Sequence, residues 1–137
     1  MITDELRSWL RAIADELIPA AEGMPSASEV GVANQQLDLV LAARPDLTRH
    51  LLRAYARTSD VDGEAAFTAL AELDPEAEGA IAQIVAGGYY ASAKVRELIG
   101  YTGQQPIPVR PPDFPEYIEE GLLERVVARG PIYRSVD

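Results

Sequence analysis

Apolar residues recur along this chain at spacings of three and four, the period of a helix with one buried face. Leu6, Leu10, Ile13 and Leu17 form the first such stripe, bordered by Trp9 as a core residue. It opens after Thr3, a good N-cap, with Asp4 and Glu5 in the first turn where the helix dipole favours acids. It closes at Ile18, because a residue before proline is pushed out of the α region. Residues 19–25 read as a loop by their Pro and Gly content. Ser26 and Glu29 then stand at capping-box spacing for a second helix, which carries Val30, Ala33, Leu37, Val40 and Leu41 and stops at Pro45. Gly31 weakens its first turn. Asp46 is positioned to cap a third helix with the stripe Leu47, Leu51, Ala54 and Tyr55. After a turn at 58–63, a short fourth helix buries Ala66, Phe67, Leu70 and Leu73. Asp74 and Pro75 give a cap and a first-turn proline to a fifth, whose buried side is Ile81, Ile84, Val85 and Gly88.

The stretch 87–110 departs from this rhythm. Projecting the fifth helix at about 100° per residue returns Val95 and Ile99 to its buried side, so it can run to Gly100 as its stop. Alternatively Gly87 and Gly88 break it, and Ser92 caps a separate short helix. A glycine pair inside a helix costs about 2 kcal/mol, for which close backbone packing on this domain or another chain would compensate. In the unbroken case Tyr89 lies on the edge of the stripe and Tyr90 points outward, as an aromatic interface anchor does. Residues 101–105 form a turn, and the prolines at 106, 108, 111 and 112 hold an extended segment. Such a segment straps its own domain or docks on a neighbour. Asp113 and Glu116 repeat the capping spacing for a last helix with Tyr117, Ile118, Leu122, Val126 and Val127, interrupted by Gly121. Gly130 and Pro131 end it and leave a short tail. The expectation is an all-α protein: one compact domain over residues 1–137, a bundle of about five to six helices, an extended Pro-rich segment and a C-terminal tail.

Composition narrows the functional classes. The net charge of −10 argues against nucleic acid, which needs a basic field. The charge is uneven: 58–93 contains seven acids and no Lys or Arg, whereas Arg49, Arg53 and Arg57 recur along one flank of the third helix as a basic ridge. These charges read first as solvated faces, and second as steering toward a partner. With no cysteine, disulfides, thiolate zinc sites and cysteine-held iron–sulfur clusters are excluded on this chain. No apolar run reaches membrane-spanning length, which predicts no direct membrane insertion. The acidic start does not read as a secretory signal. The sequence as written is therefore expected to be cytoplasmic, or periplasmic if a leader was removed or an exported partner carries it.

Candidate chemistry is sparse. There is no HExxH, phosphate-loop or dinucleotide glycine pattern, and no Ser/His/Asp arrangement of known type. The single histidine, His50, falls on the third helix's apolar stripe, where packing is the first reading and general-base chemistry the second. No catalytic, cofactor-binding or metal residue is expected. The candidate partner interface is Tyr89, Tyr90, Tyr101, Gln104, Pro106, Pro108, Arg129, Tyr133 and Arg134.

Several short motifs occur in a fixed order along nearly the whole chain: ADELIP from Ala14, GMPSASEVGV from Gly23, Gly88-Tyr89-Tyr90, Val95, Ile99-Gly100-Tyr101 with Gly103-Gln104, Leu122-Leu123-Glu124, and RGPIYR from Arg129. As an ordered set they resemble the gluconate 2-dehydrogenase subunit 3 family. The resemblance implies a non-catalytic small subunit, paired with a large FAD-dependent dehydrogenase of the glucose-methanol-choline type that acts on sugars or sugar acids. The large subunit would hold FAD and the catalytic bases; the small one would assist assembly or maturation. Many relatives carry a twin-arginine leader, a pattern not seen here, and Thr102 stands where the family has proline. Two other readings remain open: an acidic helical adaptor for another protein, and a free-standing enzyme using His50 or a carboxylate.

Overall fold

A computed structural model describes residues 1–106 and 119–132. The protein is all-α: seven helices form among the described residues, and no sheet. They are α1 Asp4–Leu17, α2 Gln35–Ala43, α3 Leu47–Thr58, α4 Gly63–Leu73, α5 Pro75–Ala91, α6 Ala93–Leu98 and α7 Glu124–Arg129. The chain divides into two compact units, Met1–Thr102 and Gly103–Asp137.

In the first unit α5 is the central helix. It packs on α2, α3, α4 and α6, and more lightly on α1, which lies mainly against α4. The core is built from the predicted stripes: Leu6, Leu10, Ile13, Leu37, Leu51, Leu70, Ile81 and Ile84 are all shut off from solvent. Each such side chain contributes about 1.5–3 kcal/mol by leaving water. Trp9 is also buried, and its indole Nε1 donates to the Thr58 carbonyl at 3.2 Å, tying α1 to the end of α3. Local signals set several helix ends. Thr3 Oγ1 accepts from the Leu6 amide at 3.3 Å, Asp62 from the Ala65 amide and Asp74 from the Ala77 amide, both at 3.1 Å.

Other local signals are overridden. The Ser26–Glu29 capping pair forms reciprocally, the Ser26 amide donating to Glu29 Oε2 at 2.7 Å and the Glu29 amide to Ser26 Oγ at 3.4 Å. It caps only a set of turns, because Gly31 at φ +74° takes the chain out of the right-handed region and α2 begins at Gln35. Arg7 holds that junction from α1, donating to the Ala33 and Asn34 carbonyls at 2.9 and 3.1 Å and to Asp38 at 2.6 Å. Asp46 does not cap α3; its carboxylate is taken by Arg44 at 2.7 and 2.9 Å. Leu73, expected in the core, is 59% exposed at the end of α4.

The region after Gly87 combines the two expected alternatives. α5 runs through both glycines but stops at Ala91; Ser92, at ψ 129°, turns the chain into a separate α6. The compensation for Gly88 is close packing within the domain: a Cβ there would lie 3.3 Å from Gln36 Cβ and 3.5 Å from Val32 Cγ1. Val95 is buried on α6 as expected, but Ile99 is half exposed, since it follows the end of α6 rather than a continuous α5. Gly100 at φ +69° stops α6, with its own amide on Glu97 O at 3.0 Å and the Tyr101 amide on Arg96 O at 2.8 Å, a Schellman closure.

In the second unit, Gly121 and Gly130, both at φ +70°, bracket α7. Of the helix expected from Asp113, residues 113–118 lie outside the described residues; Glu119 is helical, and after a turn a separate helix runs Glu124–Arg129. Of the apolar side expected for it, Leu122, Val126 and Val127 are solvent-exposed, as is Leu123, and Tyr117 and Ile118 lie outside the described residues.

Candidate functional site

Tyr89 and Tyr90 are adjacent in sequence and opposite in role. Tyr89 is 3% exposed, and its hydroxyl donates to the Pro25 carbonyl at 2.8 Å across 64 residues of chain. Burial pushes its phenol above the ordinary range, with Tyr90 and Glu29 adding to the shift, so it remains a neutral donor. Tyr90 is 58% exposed and meets Tyr89 edge to face, ring centroids 5.5 Å apart. Tyr89 therefore presents no surface of its own; it braces Tyr90 from beneath.

Downstream of Tyr90 the exposed apolar residues continue. Leu98, Ile99 and Tyr101 are each about half exposed around the end of α6. Val95 points inward, so Lys94 and Leu98 lie along one flank of α6 and Arg96 and Ile99 along the other. The first flank faces an open cleft, whose opposite wall is the 20–25 loop with Met24 and Pro25. That loop is a tight turn in which Ala21 and Met24 exchange backbone hydrogen bonds at 2.8 and 3.1 Å, with Glu22 and Gly23 both at positive φ. Gln104 and Pro106 are exposed, as is Arg129 on α7. Pro108, Tyr133 and Arg134 lie outside the described residues, as does most of the extended 106–112 segment.

The expected basic ridge of α3 is an internal joint. Arg53 donates to Asp74 Oδ1 at 3.0 Å and Glu76 Oε2 at 2.9 Å, and Arg57 to the Leu73 carbonyl at 3.0 Å. Arg53 Nε also lies 2.6 Å from Asp74 Oδ2, an ion pair without hydrogen-bond alignment. Burial works against the Asp74 charge, but the Ala77 amide, then Arg53 and Arg57, outweigh it and hold the carboxyl below its usual range. Arg53, followed by the histidine, lowers Glu76 likewise. His50 is buried beside this joint: Arg49 Nε donates to its Nε2 at 2.9 Å, and Arg53 Nη2 lies 3.1 Å from its Nδ1. With Nε2 accepting from Arg49, Nδ1 carries the ring proton; Arg53, a donor only, cannot accept it, and Glu76 Oε2 lies 3.8 Å away. The ring is buried, as its place on the stripe suggests.

Among the described residues no group of three or more His, Asp or Glu side chains is arranged to hold a metal ion, and no helix is long and apolar enough to cross a membrane. Sequence reasoning missed Lys94, Leu98 and Glu22. The signal for Lys94 was available, since it is the one lysine in the chain and follows a 36-residue run with no basic residue. No protein-family model, no curated protein and no solved structure matches this chain.

Proposed function

We propose that this chain is a non-catalytic small subunit that binds a large FAD-dependent dehydrogenase of the glucose-methanol-choline type, acting on sugars or sugar acids, and assists its assembly or maturation. The observation that carries this reading is the apolar surface left facing solvent: Tyr90, Leu98, Ile99 and Tyr101 in the first unit, and Leu122, Leu123, Val126 and Val127 in the second. Exposed apolar side chains that adjoin one another on the surface mark places that another chain covers. The ordered motifs that resemble the gluconate 2-dehydrogenase subunit 3 family supply the kind of chain. FAD and the catalytic bases belong, on this reading, to the large subunit, and the interface buries about 2,000 Å² or more, as obligate interfaces do.

Co-expression of the tagged chain with a large FAD-dependent dehydrogenase of that type from the same genome tests the proposal. The expected result is a yellow complex, with little soluble flavoprotein when the large chain is expressed alone. A flavoprotein that is soluble, flavin-loaded and active without this chain would end the reading and favour an acidic adaptor for another protein.

A further inference from the structure

We infer that the step from Asp62 to Gly63 is a site of spontaneous isoaspartyl modification, held in check by the packing of α4 on α1, so that the chain is modified in proportion to the time it spends unfolded. Asp62–Gly63 is the one Asp–Gly step in the sequence, and Asn–Gly does not occur. Two separate demands of the fold put these residues side by side. Asp62 starts α4, its Oδ1 accepting from the Ala65 amide at 3.1 Å. Gly63 seats the helix on α1, where a Cβ would stand 2.7 and 2.8 Å from the carbonyl carbon and oxygen of Ala12 and 3.0 Å from the Ile13 nitrogen. The helix start favours an aspartate and the contact requires a glycine; together they make the labile pair.

The chemistry needs only water. With no side chain at Gly63 to hinder it, the Gly63 amide nitrogen bonds to Asp62 Cγ, the carboxyl loses its oxygen as water, and a five-membered succinimide forms. Water then adds back to the ring. Opening at Cγ restores aspartate; opening at the main-chain carbonyl leaves the chain joined through Cγ, as isoaspartate. One water leaves and one returns, and nothing is oxidised or reduced.

The fold opposes this closure by hydrogen bonds and packing, since the Asp62 side chain itself is exposed. While Oδ1 holds the Ala65 amide, the Asp62 carbonyl accepts from the Ala66 amide at 2.7 Å. Closing the ring breaks the first bond, turns the carbonyl off the second, and draws the Gly63 nitrogen away from its seat on α1. The product fits no better. The carboxyl that capped α4 becomes the linking carbonyl, and an extra methylene stands in the main chain before Gly63, so the helix start and its seat cannot both be kept.

The full chain tests this at mildly acidic pH, where the partly protonated carboxyl loses water most readily, held once folded and once in guanidinium chloride. Isoaspartate is counted with an isoaspartyl methyltransferase and located by electron-transfer fragmentation. The expected result is that it accumulates at residue 62 at least about tenfold faster in the unfolded chain, and that Leu70→Ala, which loosens α4 without touching the labile pair, raises the folded rate. Asp62→Glu, which would need a six-membered ring, should abolish the signal in the unfolded chain, where folding plays no part. Modified chain returned to buffer should melt below unmodified chain carried through the same steps. Equal rates folded and unfolded would overturn the protection, a signal that survives Asp62→Glu would overturn the site, and equal melting of modified and unmodified chains would overturn the coupling to α4.

Discussion

Arg53 on α3 and the first turn of α5 share one carboxylate, that of Asp74. Asp74 Oδ1 accepts both the Ala77 amide, at 3.1 Å, and Arg53 Nη2, at 3.0 Å. The residue that starts the central helix is therefore also the residue that fastens α3 to it.

Because the folded Asp74 carboxyl lies below its usual range, its contribution is complete above the unfolded value, about pH 4. It is lost as pH falls from there through the lower folded value, with Glu76 acting in the same sense. Thermal unfolding is expected to be flat from neutral pH down to about 4 as far as these two groups are concerned, and to fall steeply below it. Asp74→Asn keeps a residue able to cap but removes the charge, and should lower the melting temperature at neutral pH while making the acid limb shallower. An unchanged acid limb in that variant would show that the joint does not carry the pH dependence.

Gly63 touches the α1 backbone. A Cβ there would stand 2.7 Å from the Ala12 carbonyl carbon and 2.8 Å from its oxygen, atoms that cannot move aside without shifting the helix. Gly63→Ala is expected to destabilise by about 1–3 kcal/mol in urea unfolding. Gly79 lies inside α5, and a Cβ added there would meet nothing within 4 Å. Gly79→Ala should therefore do the reverse and gain about 0.5–1 kcal/mol.

The tyrosine pair separates core from surface. Tyr89→Phe removes the donor to the Pro25 carbonyl and should cost about 0.5–1.5 kcal/mol, with partner binding little changed. Tyr90→Ala should alter stability by less than about 0.5 kcal/mol beyond its ring contact, yet weaken co-purification with the proposed flavoprotein partner. Denaturation and pull-down on both variants give the comparison, and equal binding by wild type and Tyr90→Ala would remove Tyr90 from the interface.

Glu22 holds φ +51° in the 20–25 turn, a conformation that Asn or Gly adopts more readily. Glu22→Asn is expected to stabilise the protein by about 0.5–1 kcal/mol. A loss of stability on calorimetry would mean that the Glu22 side chain makes up for the backbone strain.

Much of the helical framework was legible because its signals act within one turn. Thr3, Asp62 and Asp74 bond amides three residues on, Pro75 sits where a missing N–H is harmless, and Gly100 takes the conformation that ends α6. The period of apolar residues likewise named the buried sides of α1, α3 and α5. The failures share a cause, which is a partner distant in sequence or a competing neighbour. Asp46 could cap, but Arg44 takes its carboxylate. The Ser26–Glu29 pair forms, but Gly31 redirects the chain.

Of the candidate interface residues named from the sequence, helical projection turned Tyr90 outward and the motif set supplied Tyr101 and Gln104; the structure leaves all three exposed. What only the tertiary fold decided is which of two neighbouring tyrosines faces in, that the arginine ridge closes on Asp74 and Glu76 while Lys94 and Arg96 stay exposed, and that Gly63 abuts Ala12. Each depends on which helices lie side by side. Helical periodicity says which face of a helix is buried; it does not say against what.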